Sequence, residues 1–225
     1  MEKPKVYYKL ALGEAVSMVG GSLSILIVIS LFIGAVTTLQ TAYQLTSSLV
    51  PTSIIGTIVS VTDLLELSPT IVNLVIAGRI GSKIASEIGT MRVTEQIDAL
   101  EVMGVNSRAY LILPKLIGGV VALPILTTIS AFLTHTGGIF AGSMTGAVTA
   151  QEFTLGLREY YDHYQVVIMY VKCTTFGFII TSVSAYQGYF TRGGALEVGD
   201  SATRAVVYSC LTMVVFDYII AQVMI

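Results

Sequence analysis

Four charged residues stand where a membrane would not tolerate them alone: Asp63, Glu66, Lys172 and Asp217. The chain around them is 54% hydrophobic and only 12% charged, with a mean hydropathy of +0.80. A lone charge at a bilayer centre costs at least about 2.5 to 3.5 kcal/mol, so these side chains must face protein, water or a headgroup. They could surround a cavity, fix the packing register of the helices or contact a lipid. They could equally form a buried ion pair, Lys172 with Asp217 or with Glu66, whose pairing offsets the burial. Asp63 lies one helical turn before Glu66, and two like charges so close suggest a wet or headgroup-lined site.

Other chemistry is sparse. His135 and His163 are isolated from any Cys or carboxylate at metal spacing, so no metal site is expected. Cys173 and Cys210 lie in separate apolar segments and read as buried thiols. GRIGSKI, from Gly78 to Ile84, lacks the glycine and lysine order of a phosphate-binding loop, and no serine sits in a nucleophile elbow. No catalytic residue or resident cofactor is expected, and no basic stripe interleaved with aromatics points to nucleic acid.

The densest charge lies in the insert from Gly78 to Gly104, with Arg79, Lys83, Glu87, Arg92, Glu95, Asp98 and Glu101. Within it Val93, Ile97, Leu100 and Met103 recur at helical spacing, Thr94 can cap the start, and Gly104 stands where a C-terminal cap belongs. Glu95 sits well against the positive end of the helix dipole. The pattern over 93–103 predicts a short amphipathic helix too polar to cross a membrane, with Glu95, Asp98 and Glu101 turned away from its apolar stripe. Such a helix is either a stiff rod that receives work from a soluble motor or a solvated connector between spans.

The elements around the insert follow from charge-free tracts. None of the residues from Ala15 to Thr62, or from Leu116 to Gln151, is Asp, Glu, Lys or Arg, whereas a spanning helix needs only about 20 apolar residues. The chain reads as one all-α membrane domain over 1–225: an interfacial amphipathic helix over 1–19, spans over 20–42, 53–88, 110–142, 165–189 and 205–225, and the insert helix over 93–103. Pro69 interrupts the second span and frees a backbone carbonyl that must find another partner in lipid. The first apolar run is too long for the core of a cleavable signal. Lys and Arg concentrate in the N-terminal segment, the insert and the loop around Arg192, which places the N-terminus in the cytoplasm and the C-terminus outside.

The runs Ala77-Gly78-Arg79-Ile80-Gly81-Ser82 and Glu87-Ile88-Gly89-Thr90-Met91-Arg92-Val93-Thr94-Glu95-Gln96-Ile97-Asp98-Ala99-Leu100-Glu101-Val102-Met103-Gly104-Val105 resemble the MlaE (YrbE) family of ABC-transporter permeases. A second block, Gly188-Tyr189, Gly194-Ala195, Glu197-Val198-Gly199 and Ala202-Thr203-Arg204-Ala205-Val206-Val207, resembles it too. Where many relatives read basic-Glu-Leu-Gly-Pro, this chain has Leu65-Glu66-Leu67-Ser68-Pro69. The resemblance implies a bacterial inner-membrane permease that pairs with a second copy of itself. Two cytoplasmic ATPase subunits carrying ATP and Mg would drive it, beneath a periplasmic ring of MCE-domain proteins, and the family also leaves room for a small STAS-type subunit. Glycerophospholipids would move between the inner and outer membranes to maintain outer-membrane lipid asymmetry. Thr94, Glu95, Ile97, Asp98, Leu100, Glu101 and Met103 would form the coupling helix in the ATPase groove.

By the same resemblance Leu39, Tyr43, Leu45, Leu49, Ile55 and Ile58 would help to hold lipid at the dimer centre, although as apolar residues they suit a core or a lipid-facing surface equally. Gly138, Gly142 and Gly146 form a small-residue ladder suited to close helix approach, within one chain or between two. Two other readings stay open, an ion-coupled carrier that uses Glu66, Lys172 and Asp217 as a relay and a membrane scaffold that transports nothing.

Overall fold

The computed structural model describes residues 4–45, 51–159 and 161–224, with side chains from residue 6 onward. Every regular element among them is helical: α1 (Pro4–Gln44), α2 (Ser53–Thr62), a π-helical segment (Asp63–Val72), α3 (Asn73–Val93), α4 (Gln96–Val102), α5 (Ser107–Thr145), α6 (Ala150–Glu159), α7 (His163–Tyr189) and α8 (Ala195–Met224). Five stretches are long and apolar enough to cross a membrane: Val6–Gln44, Ser53–Val93, Ser107–Thr145, His163–Tyr189 and Ala195–Met224. The chain is an all-α multi-pass membrane protein.

Hydrocarbon offers backbone groups no water, so helices once begun tend to run on. No separate interfacial helix ends at residue 19: α1 continues through Gly20 and Gly21 for 41 residues, about 62 Å at 1.5 Å per residue and twice the hydrocarbon thickness. The second span is likewise unbroken from Ser53 to Val93. Pro69 is absorbed by the widened π-helical turns rather than by a break. The fifth apolar helix begins at Ala195, ten residues before the expected 205, because its polar first turns extend past the apolar stretch; the Gly194 N–H is capped by Glu197 Oε2 at 2.8 Å.

The chain divides into two compact units, one of Met1–Ser22, Asn73–Ile125 and Cys173–Ile225, the other of Leu23–Val72 and Leu126–Lys172. In the first, helices approach through small residues. Ala85, Ala202 and Ala205 form a buried cluster between α3 and α8, and a side chain on Gly188 would meet the Ala85 carbonyl 2.7 Å away. In the second, Ile55, Val59, Val148 and Phe153 form the core. Gly34 of α1 lies against the Thr134 backbone of α5, and Gly137 of α5 against the Leu31 backbone of α1. Gly138 and Gly142 pack on Thr38, so two of the three ladder glycines act within one chain, while Gly146, at φ +70, ends α5.

The short helix α6 has no counterpart among the sequence expectations, although its signal is present. Thr149 and Glu152 form a capping box: the Thr149 N–H donates to Glu152 Oε2 at 3.0 Å, and the Glu152 N–H to Thr149 Oγ1 at 3.2 Å. Gly56 of α2 and Gly156 of α6 let the two backbones touch, and Thr57 Oγ1 donates to the Gly156 carbonyl at 2.9 Å.

Gly34→Val or Gly137→Leu should therefore lower stability by about 1 to 3 kcal/mol through overpacking. Gly20→Ala, where a Cβ meets nothing within 4 Å, should be neutral or slightly stabilising. Thermal unfolding in detergent micelles checks the contrast.

Candidate functional site

The charged insert folds as the end of α3, a tight turn, and α4. Thr94 does not cap α4: its hydroxyl bonds back to the Thr90 carbonyl at 2.7 Å, and the cap position belongs to Glu95, left-handed at φ 59. A cap side chain in that conformation makes no bond to the helix start. The C-terminus matches expectation. Gly104, at φ +76, lets its own N–H reach the Glu101 carbonyl (2.9 Å) and the Val105 N–H reach the Leu100 carbonyl (3.0 Å), a Schellman closure that needs a residue without a Cβ.

Three contacts fasten α4 within the first unit. Ile97 is fully buried. Asp98 pairs with Arg92 of α3 at 2.6 Å. Glu101 Oε1 accepts from Ser107 of α5 at 2.7 Å and from the Tyr189 hydroxyl of α7 at 3.1 Å. Arg92 and Arg108 lie over the Tyr189 ring, 5.9 and 5.6 Å from its centroid. Glu101 is held below the usual glutamate range first by the Ser107 hydrogen bond and then by that of Tyr189. It is thus a clasp among three helices rather than a free acidic face. Of the expected apolar stripe only Ile97 is buried; Val93 and Leu100 are half-buried and Met103 is exposed. Val102 and Met103 instead present 89% and 68% of their surface outward, beside the partly exposed Val105.

The intramembrane charges sort into two groups in the second unit. Lys172 of α7 is fully buried and donates to Glu66 Oε1 at 2.8 Å and to the Leu65 carbonyl at 2.9 Å. Leu65 and Glu66 both lie in the π-helical segment that contains Pro69, so the lysine brings a donor from another helix to these widened turns. The expected pairing of Lys172 with Glu66 is present in the structure.

Asp63 is not on a wet face beside Glu66: it is completely buried. Ser68 Oγ donates to its Oδ1 at 2.8 Å, and His135 Nδ1 stands 3.7 Å from its Oδ2. Ser68 also reaches Ser130 at 3.3 Å, which bonds Ser30 at 2.8 Å. The histidine neighbour could not be read from spacing, because it stands 72 residues along the chain. Asp217 sits half-buried on α8 in the first unit.

The expected lipid-contacting residues separate by burial. Ile55 belongs to the core and Leu45 packs on it. Leu39, Tyr43 and Ile58 are exposed, and Leu49 lies outside the described residues. Leu31, Phe32, Ala35, Phe140 and Met144 line an apolar groove of about 680 Å³ in the second unit.

Lys172→Met should lower stability by about 1 to 3 kcal/mol, because it removes the donor shared by Glu66 and the Leu65 carbonyl while Glu66 keeps 44% of its side-chain surface, and adding Glu66→Gln should return part of it. Tyr189→Phe should cost about 1 kcal/mol. Because the Glu101 value is depressed on folding, its contribution is present above the ordinary glutamate range and is lost as pH falls through the lower folded value. Amide-exchange protection across Gln96–Val102, corrected for intrinsic rates, should fall in that acidic window and stay flat with pH in Glu101→Ala.

The chain matches the family described as Permease MlaE over residues 12–223. It is 34% identical to a probable ABC transporter permease protein of Rickettsia bellii, over 98% of this chain and 85% of the relative. A probable ABC transporter permease protein of Synechocystis is 36% identical over 94% of this chain and 80% of its own length. The chloroplastic protein TRIGALACTOSYLDIACYLGLYCEROL 1 of Arabidopsis thaliana is 31% identical, over 98% of this chain and 63% of the plant protein. With its five apolar helices and its clasped insert helix, the chain belongs to the MlaE family of ABC transporter permeases.

Proposed function

We propose that this permease moves glycerophospholipids between the inner and outer membranes of a bacterium, and that α4 is the element through which an ATPase drives it. The observation that carries the reading is the combination at α4. A coupling element must be rigidly joined to the spans and must show a surface to its motor. Ile97, the Arg92–Asp98 pair and the Glu101 clasp supply the first, and exposed Val102, Met103 and Val105 supply the second. An exposed apolar tip rimmed by charge is the composition of a docking surface.

Lipid as cargo is supported by the lipid in the name of the Arabidopsis relative and by the apolar groove beside Phe32 and Phe140, whose volume is within the usual range of ligand sites. In this assembly two copies of the chain pair, each taking one ATPase subunit that binds ATP and Mg. A periplasmic MCE ring stands above, a small STAS-type subunit sits below, the N-terminus is cytoplasmic and the C-terminus periplasmic. The relay of an ion-coupled carrier is less favoured, since Lys172 is already committed to Glu66 and to the Leu65 carbonyl.

Val102→Asp combined with Met103→Asp replaces apolar contacts worth about 1.5 kcal/mol or more each, so affinity for the ATPase subunit should fall at least about tenfold. Nucleotide-driven phospholipid transfer between donor and acceptor vesicles should fall with it while thermal stability is kept. Unchanged transfer, or transfer that persists without ATP and follows a proton gradient, would overturn the proposal.

A further inference from the structure

Within the first unit, the start of α1 and the end of α3 enclose a groove of about 930 Å³ lined by Val6, Lys9, Leu10, Gly13, Ser17 and Lys83. It continues as a narrow cleft past Gly21 to Arg79. Glu14 and Glu87 line both parts. Lys115 of α5, 3% exposed, bridges these two carboxylates at 2.7 and 2.9 Å through their Oε1 atoms, which leaves each carboxylate a second oxygen. Glu14 and Glu87 keep 27% and 44% of their side-chain surface.

Sequence fixes the depth of this groove. Glu14 and Lys115 are the last charges before the two charge-free tracts, so the bridge between them marks the edge of the hydrocarbon. From that edge α1 and α3 run inward with their residues in matched order. Lys83 Nζ donates to Ser17 Oγ at 2.8 Å. One turn deeper, about 6 Å along α3, Arg79 lies against Gly21, where a Cβ would stand 3.4 Å from the guanidinium. Both cations are exposed, and among the described residues neither has a carboxylate within ion-pair distance. A cation inside the apolar slab calls for an anion, and a guanidinium fits a phosphate geometrically.

We propose that this groove binds the headgroup of a zwitterionic glycerophospholipid with a primary ammonium, the phosphodiester on Arg79 and Lys83 and the ammonium on Glu14 and Glu87. The order of charges is that of a lipid standing in its leaflet: acids at the water edge for the ammonium, bases one to two turns deeper for the phosphate, hydrocarbon beyond. Gly21 gives the guanidinium its room. Lys115 holds the two carboxylates side by side, so the ammonium site is formed before the lipid arrives. The site stands on this geometry and holds whether or not the same lipid is the transported cargo.

The test places p-benzoylphenylalanine at Gly13, an exposed groove position whose Cβ meets nothing within 4 Å. The full chain in nanodiscs is irradiated with phosphatidylethanolamine, phosphatidylglycerol or diacylglycerol as the guest lipid. Phosphatidylethanolamine should cross-link and diacylglycerol should not, and free inorganic phosphate should not compete. Arg79→Gln with Lys83→Gln should lower the yield at least about tenfold, while Arg79→Lys keeps most of it. Glu14→Gln with Glu87→Gln should lower the phosphatidylethanolamine yield and spare phosphatidylglycerol. Equal yields from diacylglycerol, displacement by inorganic phosphate, or indifference to the Arg79 and Lys83 changes would overturn the site. A phosphatidylethanolamine yield that only equals that of phosphatidylglycerol and ignores the glutamate changes would overturn its ammonium half. Each readout is binding alone, so its failure leaves ATP-driven transfer to be judged separately.

Discussion

The bond from Lys172 to the Leu65 carbonyl and to Glu66 states the constraint under which the whole chain is built: in hydrocarbon a polar group finds its partner in the protein or stays unmet. Pro69 brings no N–H to the second span, and within the widened turns around it a lysine from another helix donates to the Leu65 carbonyl at 2.9 Å. The lysine in turn needs an anion, and Glu66 stands at 2.8 Å. The widened turn, the cation and the acid meet at one place, and the fully buried lysine is the member that depends most on its partners, since Glu66 keeps 44% of its side-chain surface and also accepts from Thr70 at 3.3 Å. The rule recurs on a smaller scale: Thr37, Thr38 and Thr41 return their hydroxyls to carbonyls of the preceding turn of α1.

Beyond the hydrocarbon the constraint relaxes, and charged side chains become fasteners rather than liabilities. Glu101 gathers Ser107 and Tyr189, and Asp98 holds Arg92. Fully buried Ile97 seats the helix, so α4 is joined to α3, α5 and α7 at once. A displacement of its exposed tip is carried to three helices, which is what the proposed coupling requires.

Much of this was legible in the sequence, for stated physical reasons. Charge-free tracts and periodicity located five apolar helices, because composition is a direct readout of the solvent a segment occupies. Gly104 announced the end of α4, since only a left-handed residue closes that turn. Sequence also marked Pro69 as an irregular point of the second span but left two acids open for Lys172. What stayed hidden was long-range or continuous. Nothing in the residue types says that Gly20 and Gly21 fail to interrupt α1, because the surroundings decide it. Asp63 beside His135, and Tyr189 on Glu101, are meetings of distant helices that no spacing encodes. Helix α6 was hidden for another reason: its Thr149–Glu152 capping box lay in plain view inside a segment read as loop.

The proposed ATP-driven transport turns on α4 standing in water on the motor's side of the membrane. The most direct measurement is labelling of single cysteines, Val102→Cys and Met103→Cys in a Cys173→Ala, Cys210→Ala background, with a membrane-impermeant maleimide in vesicles of known sidedness. Labelling from the cytoplasmic face only, blocked when the ATPase subunit is added, is the expected result. Labelling from the periplasmic face, or silence from both faces in a folded protein, would contradict it.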